Sequence, residues 1–266
     1  MINGFLLSFR SEFFKNQKTL GFWAAVLLPL LLCLLLFVGF YTKSEKLVNM
    51  APMKLWMQFA GAIIRVMGSL LLPMYVIFIA YAVNSIEHVA GSWKSLFSLP
   101  VSRWAVYGAK YFYALFLVLL CLALFVLFTI GFGNLLGMVK PQLRFGSYHM
   151  EKELLLIYFK LFLSSLGILS IQFLLSLLWA DFLKPIGLGF VCTIAGVILA
   201  INNWEYAYLF PYAHPSVAVN TMISQSNQAM GKLQIDVFTK DVPVSIMISI
   251  AVFIAGYFIV LRKSVR

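Results

Sequence analysis

The most distinctive polar residues of this sequence lie in one stretch between two apolar runs, EHVAGSWKSLFSLPVSR, from Glu87 to Arg103. An acid, a Trp-Lys pair and a terminal arginine are suited to binding another surface through apolar contacts and charge pairs. Ser92 can be the N-cap of a helix that Pro100 ends. A helix of two turns is unstable alone in water, so this one must pack against the membrane, its own chain or a partner.

Residues for bond-making chemistry are missing from the sequence. The only Gly-Lys pair, at 231 and 232, is followed by leucine, and Ser226 stands where the first glycine of a P-loop belongs. There is no G-x-S-x-G and no H-E-x-x-H. We predict that the chain is no enzyme and binds no cofactor or metal. Three isolated histidines are expected to be solvated loop residues: His88, His149 and His214.

The elements around this stretch are those of a membrane protein. Of the 266 residues, 62% are apolar and 11% are charged, far from the composition of soluble domains. Six runs without charge are long enough to cross a bilayer of about 30 Å, which takes about 20 helical residues. None of them holds an acid, a base or a histidine, which argues against an ion-coupled carrier or an intramembrane enzyme. The predicted spans are 19–42, 66–86, 111–133, 161–180, 185–204 and 242–261, the third run continuing to 139.

Basic residues predict how the chain lies in the membrane. If both termini are cytoplasmic, the inside segments hold 10 Lys and Arg in 51 residues and the outside segments 10 in 81, so the positive-inside rule favours this orientation. We interpret the excess of 20 basic over 9 acidic residues as affinity for anionic lipid rather than for nucleic acid. Arg65 and Lys160, at the outer starts of two spans, are interpreted as interface anchors.

The two ends of the chain contain further predicted elements. Residues 1–18 are expected to form an amphipathic helix on the membrane surface, with Phe5, Phe9 and Phe13 on one side and Glu12 among the polar residues on the other. The outer segment 205–241 contains Pro211 and Pro215. Its beginning is either a broken helix that dips back toward the membrane or an ordinary long loop, and the sequence leaves both open.

The stretch from 87 onward resembles the first intracellular loop of permease subunits of type-2 ABC exporters. The family pattern has an acid at the end of the second span, then Gly-Thr/Ser-x-x-x-Leu-x-Ser/Thr-x-Pro-x-Ser/Thr-Arg, then a lysine that opens the third span. The architecture is similar too: an all-α membrane domain with an N-terminal interface helix, six spans and a proline-containing outer segment before the last. The residues that match the pattern are Glu87, Gly91, Ser92, Leu96, Ser98, Pro100, Ser102, Arg103 and Lys110.

This resemblance implies a mechanism and its contacts. Loop 87–103 would contain the coupling helix that docks on a separate cytoplasmic ATPase, which would bind ATP and Mg²⁺. The loop 181–184, with Asp181 and Lys184, is a candidate second contact, and Pro211 and Pro215 are a candidate outer gate. The candidate ATPase contacts are Glu87, Ser92, Trp93, Lys94, Leu96, Leu99, Pro100 and Arg103.

The resemblance also implies partners and cargo. A second copy or a related permease would complete the transporter in the bacterial cytoplasmic membrane. The Trp-Lys pair at 93 and 94 is nearest to bacitracin-export and lantibiotic-immunity permeases, so export of amphipathic or lipid-like cargo, with antimicrobial peptides the first candidate, is expected. The alternative is a scaffold or sensor subunit that transports nothing and binds a cytoplasmic regulator through the same loop.

Overall fold

The computed structural model describes residues 2–93, 100–228 and 235–262. The described residues are helical with no strand, and six helices are long and apolar enough to cross a membrane. The predicted all-α architecture with six spans is therefore confirmed. Besides a single helical turn at Ser44–Leu47, the helices are α1 (Ile2–Asn16), α2 (Leu20–Thr42), α3 (Pro52–Val66), α4 (Leu72–Ala90), α5 (Arg103–Val139), α6 (Glu151–Leu178), α7 (Leu183–Ile201), α8 (His214–Gln228) and α9 (Asp241–Arg262).

Several helices extend well beyond the charge-free runs. A π-helical turn, Met67–Leu71, joins α3 to α4, so the second span is one helix of 39 residues from Pro52 to Ala90. Arg65 bounds the predicted run and Lys54 lies further toward the N-terminus, but both are exposed on α3. The opposite side of α3 buries Trp56 and Phe59. A charge on the outer side of an amphipathic helix does not end that helix, which is why charge spacing places the start of this span too late.

The two predicted anchors differ in their surroundings. Arg65 is exposed, as an interface anchor would be. Lys160 is fully buried inside the bundle, and its ammonium donates to Thr221 Oγ1 at 3.0 Å. The anchor interpretation is wrong for Lys160, because α8 covers the side of α6 that carries it.

The proline-containing segment after the fifth span is a broken helix. Two short 3-10 turns, Ala207–Leu209 and Pro211–Ala213, precede α8, and the segment packs against α6, α7 and the π-helical turn. His214 is 0% exposed, and its Nε2–H donates to Tyr208 O at 2.8 Å. The prediction that His214 is a solvated loop residue was therefore wrong. Of the two alternatives for this segment, the structure has the one that folds back among the spans.

Close backbone contact holds the broken helix against α7. A Cβ atom on Gly196 would lie 2.5 Å from Tyr212 O and 2.7 Å from Ala213 N. These are backbone atoms, which cannot rotate away as a side chain can. Glycine at 196 is therefore what allows the turn Pro211–Ala213 to reach its position.

Replacing Gly196 by alanine is expected to cost about 1–3 kcal/mol of unfolding free energy, as overpacking usually does. Gly187→Ala on the same helix is the matched control, because a Cβ there meets nothing within 4 Å. Denaturant or thermal unfolding of the purified variants measures the difference. Equal stability of the two variants would mean that the segment does not pack on α7 as described.

Candidate functional site

The N-terminal helix is packed on the third span through aromatic rings. Phe5 meets Phe112 edge to face at 5.8 Å between ring centroids, and Phe9 and Phe13 meet Tyr113 at 6.3 and 6.2 Å. The phenylalanine side predicted from the sequence thus faces the protein. Leu6, Leu7 and Phe14 are more than half exposed, and Phe13 is 37% exposed beside its contact with Tyr113. The helix α1 thus has a protein-facing side and an apolar outer side, with Phe13 at their border.

Packing of α1 in this orientation buries an acid and creates a charge cluster. We give this name to Glu12, Lys15, Glu87 and Lys110. Lys110 is central: its ammonium donates to Glu12 Oε2 at 3.0 Å, to Val83 O at 3.1 Å and to Glu87 Oε2. Lys15 bridges the same two acids, at 3.4 Å from Glu12 Oε1 and 3.2 Å from Glu87 Oε1. Two acids and two bases thus join α1, α4 and α5.

Because three members of the charge cluster are buried, removing any one of them is costly in free energy of unfolding. Glu12 is 3% exposed, and Glu87 and Lys110 are 1% exposed. A buried ion pair gains little over apolar packing, but removing one partner leaves an uncompensated charge that costs several kcal/mol. The cluster therefore holds α1, α4 and α5 in one arrangement and penalises their separation.

Lys15 is the solvent-facing member, with a third of its side chain exposed. Partial burial lowers the pKa of Lys15, but the carboxylates of Glu12 and Glu87 outweigh that effect and hold the pKa above its ordinary value. Lys15 is thus positively charged throughout the physiological pH range and balances the second carboxylate.

The first end of loop 87–103 is fixed to this cluster. Gly91 ends α4 in the left-handed conformation, with φ of +58°. Trp93 then turns its indole inward, with the Lys110 ammonium 5.8 Å from the ring centroid. Its Nε1–H donates to His88 Nδ1 at 3.2 Å, and His88 Nε2–H donates to Ser176 O on α6 at 2.9 Å. The prediction that His88 is a solvated loop residue was also wrong, because these two hydrogen bonds link the loop to α6.

The second end of the loop is fixed to the last span. Ser102 caps α5, its Oγ accepting from Ala105 N at 3.2 Å. Arg103 donates to two carbonyls at the end of α9, Val260 O at 3.3 Å and Leu261 O at 3.0 Å. Displacement of the loop would therefore pull on α4, α5, α6 and α9 together.

The structure distributes the candidate ATPase contacts over several environments. Glu87 is inside the charge cluster, where its carboxylate faces lysines of its own chain. Trp93 is half-buried, Ser92 and Arg103 are partly exposed, and Pro100 is exposed. The remaining three candidates, Lys94, Leu96 and Leu99, lie outside the described residues.

The other two candidate sites are separate from the loop. Asp181 is exposed in the turn between α6 and α7, and Lys184 is exposed in the first turn of α7, with 3.9 Å between Asp181 Oδ2 and Lys184 Nζ. Phe182 of that turn packs on Tyr81 of α4, so the turn is at the same end of the bundle as the charge cluster. We call this the cluster end. Pro211 and Pro215 are in the broken helix, with Pro211 beside Gly167 of α6.

Sequence reasoning missed the partners of Glu87. Glu12 was placed on the polar side of α1, and Lys110 was noted only for matching a pattern. That placement of Glu12 was wrong: at about 100° per residue, Glu12 falls beside Phe5 and Phe9 on α1, and the structure buries it together with Asn16, one turn further on. A buried acid calls for a base, and Lys110 is the base nearest the start of the third span.

The fold and this site define a class: a multi-pass membrane protein with one polar loop tied to four of its helices. A family model described as ABC-2 family transporter protein matches residues 8–196, more than half of the chain. The chain therefore belongs to the ABC-2 transporter family and is an ABC transporter permease, a membrane subunit of a kind that generally associates with an ABC ATPase. No curated protein and no solved structure matches it.

Proposed function

We propose that this permease exports amphipathic or lipid-like cargo, antimicrobial peptides being the first candidate, with energy from a separate ATPase that docks on loop 87–103. In this proposal both termini and the cluster end face the cytoplasm of a bacterial cell. ATP and Mg²⁺ bind to the ATPase, and a second permease, either another copy or a relative, completes the pathway.

The observation that supports this proposal is the attachment of the loop at both ends. Trp93 connects its beginning to Lys110 and, through His88, to α6. Arg103 connects its end to α9. An ATPase that moves the loop would thereby move four helices, which is what alternation between two states of the spans requires.

The charge cluster adds a role for the N-terminal helix. Because Glu12 shares Lys110 with Glu87, α1 would move with the loop as one body. The exposed Leu6, Leu7 and Phe14 suit contact with the lipid surface. In this proposal Glu87 positions the loop through Lys110, and the direct contacts to the ATPase come from Trp93, Lys94, Leu96, Leu99 and the exposed Pro100.

A scaffold or sensor subunit that binds a cytoplasmic regulator through the same loop is the second candidate. The anchoring of the loop would serve it equally well. The two candidates differ in one respect: a transporter moves cargo and needs ATP hydrolysis to do so.

Survival of cells against membrane-active peptides tests the export proposal. Cells that lack the protein are expected to be at least severalfold more sensitive to one or more peptides of a panel, and the wild-type gene should restore resistance. Cells with an ATPase inactivated in its Walker lysine should be as sensitive as the deletion. Unchanged sensitivity to every peptide would exclude peptide export, and resistance without ATP hydrolysis would favour the sensor.

A further inference from the structure

A cleft of about 570 Å³ opens at the end of the bundle opposite the charge cluster. Its walls are the end of α7, the segment that follows it, α8, the segment 236–240 and the start of α9. Asp241 begins α9, and the other end of that helix, at Val260 and Leu261, receives Arg103. The cleft and the loop that we assign to the ATPase are thus separated by the length of α9, about 30 Å at 1.5 Å per residue.

The lining of this cleft is acidic although the protein is strongly basic. Three carboxylates line it, those of Glu205, Asp236 and Asp241, against one ammonium, that of Lys240. Lys240 lies over the ring of Tyr208, 5.7 Å from its centroid. The nearby buried base, Lys160, donates to Thr221 Oγ1. Lys160 also lies within electrostatic range of Asp241 and Asp236. Two ammonium groups therefore face three carboxylates, and one negative charge remains in the cleft.

Asp241 is the acid whose environment indicates a ligand. Its side chain is 1% exposed, and Oδ1 accepts from Thr239 Oγ1 at 2.6 Å. Oδ2 is buried and has no hydrogen-bond partner among the described residues. A buried carboxylate oxygen without a donor is costly. A cation bound in the cleft would supply that donor.

Aromatic side chains beside the acids indicate what kind of cation fits. Trp204, Tyr208 and Phe238 line the cleft, and Trp204 and Phe238 are 48% and 68% exposed. Faces of aromatic rings attract organic ammonium groups, and a large pocket with apolar walls takes an apolar body. Among the described residues no group of three or more His, Cys, Asp or Glu side chains could hold a metal ion.

We propose that this cleft binds the ammonium group of an amphipathic organic cation, with Asp241 as its hydrogen-bonding counter-charge and Trp204, Tyr208 and Phe238 around its apolar part. The site is independent of the ATPase, and its ligand binds from the side opposite the coupling loop. The inference goes beyond the proposed export function, because it names a second, ATP-independent binding site.

Binding of phenethylammonium to the full chain in phosphatidylcholine nanodiscs tests the proposal. The neutral probe 2-phenylethanol has nearly the same shape and lacks the charge. Ligand-observed NMR titration, with empty nanodiscs subtracted, is expected to give at least tenfold tighter binding for the cation. Rising salt concentration should weaken the binding of the cation only.

Substitutions assign that binding to the cleft. Asp241→Asn is expected to weaken cation binding at least tenfold, and Trp204→Ala several-fold. Asp181→Asn is the matched control, because it removes an exposed carboxylate at the cluster end and should change nothing.

Three results would overturn the inference. The first is equal affinity for the charged and neutral probes. The second is unchanged cation binding in the cleft variants. The third is an equal loss in Asp181→Asn. None of them bears on the peptide-survival experiment, so failure of the cleft and failure of the export proposal are distinguishable.

Discussion

Lys110→Met is expected to lower the free energy of unfolding by about 3–5 kcal/mol, the largest loss that we expect from any single substitution in this chain. Lys110 is 1% exposed and binds both Glu12 and Glu87. Methionine fills much of the same volume, so the loss reflects two buried carboxylates that share only Lys15. Thermal or denaturant unfolding of the purified protein measures it.

Two further variants separate charge from packing. Lys184→Met removes an exposed lysine, and we expect it to change stability by no more than about 0.5 kcal/mol. Glu87→Gln combined with Lys110→Met should be more stable than Lys110→Met alone, because one unpaired carboxylate is then neutral. If the double variant is the less stable one, the cluster does not act through its charges.

Trp93→Ala is expected to reduce ATPase docking by about 30-fold or more, since a loop that loses its fixed beginning must be ordered again on docking, at a cost of about 2 kcal/mol or more. Its indole links Lys110 and His88 to the loop, so alanine frees the beginning of the loop. The stability of the permease itself should change much less than in Lys110→Met. Binding of the purified ATPase to the permease in nanodiscs, together with the rate of ATP hydrolysis, measures the effect.

Trp23→Ala is the control for that substitution. Trp23 is 51% exposed on α2, outside the loop, and we expect normal docking and hydrolysis. Leu96→Asp, at a position that we propose to touch the ATPase, should block docking as strongly as Trp93→Ala. Normal docking in both loop variants would mean that the ATPase binds elsewhere.

The class of fold was predictable because lipid imposes a simple rule on sequence. A span must satisfy its backbone internally and keep charge out of the hydrocarbon, so six uncharged runs indicate six helices. The ends of the helices were not predictable from that rule. Arg65 and Lys54 interrupt a run without interrupting the helix, since they lie on its outer side.

The complete charge cluster could not be predicted from the sequence, for a related reason. Helical periodicity places Phe5, Phe9 and Phe13 on one side of α1, where contact with the membrane surface was expected, and the structure packs these three rings on the third span instead. It does not say at what angle α1 meets the third span, and that angle decides whether Glu12 faces water or Lys110. Pairing between residues 98 positions apart depends on tertiary geometry, which no local pattern encodes.

The cleft illustrates the same limit. The sequence places Asp241 at the start of the last span and Glu205 after the fifth, in a long segment with prolines. Only the fold of the broken helix brings both acids to one cleft with Trp204 and Tyr208. The signal that existed was the concentration of aromatic and acidic residues near the ends of two spans.

Purification of the tagged wild-type chain from its own membranes in mild detergent tests the central claim most directly. The account predicts that one ABC ATPase with a Walker lysine accompanies it in near-equal amounts, and that the amount falls at least tenfold when Trp93 and Leu96 are replaced by Asp. An ATPase that never co-purifies, or that stays bound to the doubly substituted chain with undiminished ATP turnover, would contradict it.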